Sequence, residues 1–194
     1  RARMSLELCK IDVCLREVNL SDKPIEMLHI SPKGTVPILV LPDETVIDES
    51  LAIMIWSLKR FSHVNKQTHK WLDKSIYEPS IKLVQQNDID FKPLLDKYKY
   101  CTEQGAVVHH RENAEWFLSL LNDSLEQCFY LLGDELTLAD IATFPFIRQF
   151  ALVDYDWFLN SRYKALVRWL RYLLTLDCFN RVMLKQVVFR SAIG

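Results

Sequence analysis

Two stretches of the chain carry residues whose types and spacing could do chemistry. The first is Ser31-Pro32-Lys33-Gly34-Thr35-Val36-Pro37-Ile38-Leu39-Val40, and the second is Val46-Ile47-Asp48-Glu49-Ser50-Leu51-Ala52-Ile53. A proline that opens a strand behind a β-branched residue invites a cis Val36–Pro37 bond, since an X–Pro bond gives up only about 0.5–1 kcal/mol to be cis. The backbone N–H and C=O turned outward there can pair with an extended peptide as an added half-strand would. Glu49-Ser50 lies where a strand feeds a helix. The Ser50 hydroxyl and the first free helical N–H groups then form a carboxylate site, and Glu49 beside them can take an ammonium. Together the two elements would hold a small peptide with a free α-carboxylate and a free α-amine. Taken singly, a Val-Pro loop ending and a serine at a helix start are ordinary structural chemistry; their combination at this separation points to a site.

The elements that position these residues follow from periodicity. Arg1–Lys10 places Ala2, Leu6 and Cys9 on one helical face, and Val13–Leu20 is rich in strand-favouring residues. Pro24–Leu28 predicts one helical turn opened by proline. Pro37–Leu41 and Thr45–Ile47, separated by Pro42-Asp43-Glu44, predict an antiparallel hairpin. Ser50 then caps an apolar helix, Leu51–Phe61. Polar residues follow, and beyond them only helical periods. Trp71, Leu72, Ile76, Ile81 and Val84 recur at helical spacing, with Pro79 expected to kink or interrupt that helix. Glu112–Leu132 predicts a helix ended by Gly133, and Thr137–Ala151, Arg162–Leu176 and Phe179–Val188 predict three more. The expected organisation is α/β followed by all-α, over residues 1–62, a linker at 63–67, and a helical part at 68–194.

Composition narrows the function classes. The 194 residues hold 24 Lys+Arg against 25 Asp+Glu, a net charge of −1, which argues against a nucleic-acid binder working by bulk electrostatics. Apolar runs such as Ala165–Leu176 are broken by Arg168 and Arg171 and fall short of the ~18 residues of a membrane span. The N-terminal residues do not form a signal core, so the expected compartment is the cytoplasm. Cys9, Cys14, Cys101, Cys128 and Cys178 are odd in number and scattered without a C-x-x-C pair, fitting neither a disulfide framework nor a zinc site. His109 and His110 are neighbours, about 100° apart on a helix, and cannot face one metal. No metal is expected. A chain of this mass should expose about 9,600 Å² once folded.

These motifs resemble the glutathione transferase family, whose N-terminal thioredoxin-like domain carries a Val-Pro loop and a Glu/Gln-Ser turn and is followed by an all-helical domain. The resemblance spans essentially the whole chain. It implies that Val36 presents its backbone to the cysteinyl part of glutathione and that Pro37 is the cis proline. Glu49 and Ser50 would hold the γ-glutamyl end, and Lys23 would face the glycyl carboxylate. Glutathione would be the co-substrate, its partner a small electrophile or disulfide, and the protein a homodimer. The rival is a non-catalytic binding protein on the same fold that acts through protein partners.

A second signature is Leu136-Thr137-Leu138-Ala139-Asp140-Ile141. Thr137 and Asp140 can exchange hydrogen bonds as a short capping box, with Leu136 and Ile141 as its hydrophobic staple. In the family the same box nucleates a core helix, which makes Asp140 a folding residue. The family's reactive Tyr, Ser or Cys follows a first strand, whereas this sequence opens within the first helix. The catalytic residue is therefore unassigned and expected upstream of Arg1, and the thioredoxin-like sheet is expected without its first strand. A thiol with a pKa near 8.5 is about 3% thiolate at pH 7, and lowering the pKa by about 2 units raises that roughly 25-fold. Lost nucleophilicity removes about 8-fold of this gain. Most acceleration must come from holding thiolate and electrophile together. Trp71 and Tyr77 are candidates for the apolar wall beside the sulfur, with core packing as the preferred reading of each.

Overall fold

The computed structural model describes residues 1–64, 66–103 and 105–189. The chain runs α1 (Ala2–Leu8), α2 (Ile25–Ile30), β1 (Leu39–Val40), β2 (Val46–Ile47) and α3 (Ser50–Phe61). A 3-10 turn (Ser62–Val64), α4 (Lys66–Lys70), α5 (Lys74–Gln86), a π-helical turn (Asn87–Phe91) and α6 (Lys92–Lys99) follow. The chain then continues through α7 (Val107–Gln127), α8 (Leu138–Ala151), α9 (Tyr155–Asn160), α10 (Lys164–Leu174) and α11 (Asp177–Val182). A mixed first third and a helical remainder match the expected fold class. The linker expected at 63–67 falls partly on residue 65, which lies outside the described residues.

The hairpin forms where expected, with Leu39 opposite Ile47 and Val40 opposite Val46. Its turn is closed by the Leu41 N–H donating to the Thr45 carbonyl at 2.9 Å. The Thr45 N–H donates to Asp43 Oδ1 at 3.1 Å and holds that carboxyl below its usual range. Val13–Leu20, in contrast, is not a strand. It makes isolated bridges only, Glu17 with Val188 and Asn19 with Asp22. Strand propensity needs a ladder partner to become a strand. The partner found among the described residues is one bond, from the Phe189 N–H to the Glu17 carbonyl at 2.7 Å.

α1 and α3 pack against each other and divide their residues between two cores. Ala2 and Leu6 join Ile53 beneath the hairpin, with Leu39 and Ile47 against them. Met4, Met54 and Leu58 belong instead to the main core shared with the helical part. Cys9, the C-cap residue of α1, joins the main core with Met4 rather than the cluster of Ala2 and Leu6. The Ser5 and Ser57 hydroxyls bond each other between the two helices.

The main core is built on α7, α8 and α10. α8 buries ten of its 14 residues, including Asp140. The Thr137 N–H and hydroxyl donate to Asp140 Oδ2 at 2.9 and 2.7 Å, and the capping box closes as expected. α7 starts and stops about five residues before the expected bounds. Gly133 does not end it but pairs with Tyr130 in a short bridge at φ +136°. Pro79 does not interrupt α5, which is continuous; the helical geometry changes only at the π-helical turn that follows. The accessible surface is 11448 Å², above the roughly 9,600 Å² expected from mass. Exposed Val13, Leu15, Ile30, Val36 and Val40 contribute to that excess, and all five line one cleft. No described helix is long and apolar enough to cross a membrane.

Candidate functional site

The loop 31–37 and the turn 48–50 meet in space. Gly34, at φ +59°, lets the loop bend back on itself in a backbone region that side-chain-bearing residues rarely adopt. The Val36–Pro37 bond is cis, and Val36 is half exposed. Loop and turn are tied by Lys33, whose ammonium lies 3.1 Å from Asp48 Oδ2 and 3.3 Å from Glu49 Oε1. Hydrogen bonds to Asp48 first, then to Glu49, hold the Lys33 ammonium above the ordinary lysine range. Buried Ser31 adds a longer contact, its hydroxyl donating to Asp48 Oδ2 at 3.4 Å. Lys23 is exposed and folds over the same loop: a Cβ built on Gly34 would sit 3.4 Å from Lys23 Nζ.

Ser50 is not the cap of α3 but its first residue. The Glu49 carbonyl accepts the Ile53 N–H at 2.9 Å, so Glu49 stands at the N-cap and Ser50 is the first residue of α3. Its hydroxyl is half-buried and makes no bond to another described residue. A first-turn serine still offers what an anion needs there, a hydroxyl beside unpaired helical N–H groups.

A cleft of about 1030 Å³ lies beside this loop, between residues 11–18 and the hairpin. Val36 and Pro37 stand at its edge, with Leu6, Ile53 and Trp56 among its walls. Neither Ser5 nor Cys9 can serve it, because both are fully buried. Burial also raises the Cys9 thiol above its ordinary pKa, against hydrogen bonds from Ser57 and Thr68. Of the two roles open to Trp71, the structure shows the core one: it is buried in the main core, its indole N–H donating to the Leu136 carbonyl at 2.7 Å. Tyr77 packs against that core as well. Among the described residues, no group of three or more His, Cys, Asp or Glu is placed to hold a metal ion.

Family models match both parts of the chain. The glutathione S-transferase N-terminal domain model matches residues 1–59, and the glutathione S-transferase C-terminal domain model matches residues 106–171. The chain belongs to the glutathione S-transferase family. It is 27% identical over 156 residues to glutathione S-transferase F10 of Arabidopsis thaliana, an alignment covering 74% of this chain and 68% of that protein. Solved structures of glutathione transferases share the fold. The URE2P6 transferase of Phanerochaete chrysosporium, in complex with oxidized glutathione, superposes with a TM-score of 0.80 at 18% identity, over 93% of this chain and 87% of that one. A family member from Pseudomonas fluorescens pf-5, with two glutathione bound, gives 0.73 at 19% identity over 93% and 85%.

The residues singled out from sequence fall into one neighbourhood of the structure. Val36, Pro37 and Lys23 lie on or over the loop, and Glu49 and Ser50 lie on the turn to which that loop is tied. Lys33 and Asp48 complete that neighbourhood without belonging to either motif pair. The signal that could have found them is charge complementarity, a lysine within the Ser31–Gly34 breaker facing an Asp-Glu pair that precedes a helix.

Proposed function

We propose that this glutathione S-transferase family member binds glutathione at the loop 31–37 and the turn 48–50, and that it promotes attack of the glutathione thiolate on an electrophile or a disulfide. In this reading the exposed Val36 backbone pairs with the cysteinyl residue, and Pro37 shapes the loop. The Ser50 hydroxyl and the first N–H groups of α3 take the γ-glutamyl carboxylate, Glu49 takes the γ-glutamyl ammonium, and Lys23 faces the glycyl carboxylate. The observation that carries the reading is the proximity of loop and turn, seen in the Lys33 contacts to Asp48 and Glu49, which supports a backbone edge and a helix start serving one ligand. Solved relatives that hold glutathione on the same fold support it.

Retention of the full chain on immobilised glutathione tests the reading. Elution by free glutathione, and loss of retention in Ser50→Ala, is the expected result; a chain that passes through unretained overturns it.

A further inference from the structure

Lys33 sits where a ligand's amino group would go. Its Nζ is 3.3 Å from Glu49 Oε1, the carboxylate assigned above to the γ-glutamyl ammonium, and 3.1 Å from Asp48 Oδ2. The three groups differ in freedom. Asp48 is 30% exposed and also takes the Ser31 hydroxyl, whereas Glu49 is 67% exposed and Lys33 58%. Asp48 is therefore the fixed partner and Glu49 the one that can change partners. A second ammonium brought to Glu49 meets the charge of Lys33 at short range, and like charges repel.

We infer that Lys33 is an internal competitor for the ammonium subsite: it pairs with Glu49 in the free protein, and a ligand's α-ammonium must exchange with it. This deepens the glutathione reading and rests on it. In the free protein the lysine prevents two adjacent carboxylates from standing unpaired at the start of α3. On binding it gives up Glu49, keeps Asp48, and so lowers the affinity the site would otherwise have. Lys33 lies three residues before Val36, on the same loop, so the loop that grips the middle of the ligand also carries the group its amino end displaces. The exchange is electrostatic and exposed, so its size is that of a surface ion pair and it fades with salt.

The test is calorimetric titration of glutathione into the full chain and into Lys33→Gln, Glu49→Gln and the double variant, at low salt and at 0.5 M NaCl. Lys33→Gln is expected to bind about two- to five-fold more tightly at low salt, the ratio that an exposed ion pair supports. The gain should shrink at high salt and vanish in the Glu49→Gln background. A glutathione analogue lacking the α-amino group should show no gain from Lys33→Gln. Equal or weaker binding of glutathione by Lys33→Gln, in a chain whose unsubstituted form binds, overturns the competitor assignment and leaves the glutathione reading intact. An unsubstituted chain that gives no binding overturns both.

Discussion

The Asp140 carboxylate accepts the Trp169 indole N–H at 2.8 Å, joining residues 29 positions apart inside the helical core. The same oxygen takes the Leu131 N–H at 2.9 Å, and the other takes the Thr137 N–H and hydroxyl. Asp140 thus ties a loop, a helix start and a second helix to one point with no exposure to water. A cap alone is worth about 1 kcal/mol. Removing this carboxylate strands three buried N–H donors, each costing about 1–3 kcal/mol when unpaired. Asp140→Ala should lose roughly 3–5 kcal/mol in urea unfolding. A loss near 1 kcal/mol would mean that the network adds nothing to the cap.

Gly34 should resist substitution for two independent reasons. Its φ of +59° disfavours any Cβ, and a Cβ there would meet Leu28 Cδ2 at 3.1 Å. Gly34→Ala should cost about 1–2 kcal/mol, which for a chain of this length lowers the melting temperature by roughly 2–8 °C. Retention on glutathione should weaken too, since the bend sets the loop. Unchanged melting and retention would show that the loop does not need this conformation.

Legibility in the sequence followed the range of the forces involved. The hairpin, α2 and the Thr137–Asp140 box were readable because turn residues, an opening proline and a three-residue cap spacing act within a few positions. The Val13–Leu20 strand was not, because strand status depends on a distant partner and the described residues supply only a bridge to Val188. Trp71 takes the core place preferred for it over the pocket wall, but the partner of its indole N–H, the Leu136 carbonyl 65 positions away, is set by tertiary packing. In the site, the Val36-Pro37 and Glu49-Ser50 pairs were visible as local motifs. Lys33 was not, since an exposed lysine acquires meaning only from the two carboxylates that folding brings to it.

The start of α1 is fastened to the helical part through Arg1. Its guanidinium is 95% shielded, donates through Nη1 to Asp88 Oδ2 at 2.8 Å and through Nε to the Ala142 carbonyl, and lies 4.3 Å above the Phe146 ring. Asp88 belongs to the π-helical turn, a geometry found often at functional sites. Asp88→Ala leaves a buried cation with only a carbonyl and a ring, which should cost about 2–4 kcal/mol, somewhat below the figure for a fully buried pair because Asp88 retains some exposure. Urea unfolding measures it. A change below about 0.5 kcal/mol would mark the pair as dispensable.

The five thiols should separate by burial, and so should their effect on stability with pH. Cys14 is exposed, whereas Cys9 and Cys178 are buried, and burial raises both buried thiols above their ordinary pKa. Thiolate is the reactive form, so at pH 8 a disulfide reagent should modify Cys14 fastest, while Cys9 and Cys178 react only as the structure opens. The linkage has a definite sign. The folded state keeps each proton to higher pH than the unfolded chain, whose thiols titrate near 8.5. The stability from this source is therefore complete below that value and lost as pH rises through the folded pKa values. Buried Tyr98 and Tyr163, raised in the same sense, add to the alkaline loss, so single-thiol variants are needed to isolate each contribution. Cys178→Ala should flatten the fall in unfolding free energy between pH 8 and 10. An unaltered slope, or Cys9 and Cys178 modified as fast as Cys14 in the folded chain, would contradict the burial of these two thiols.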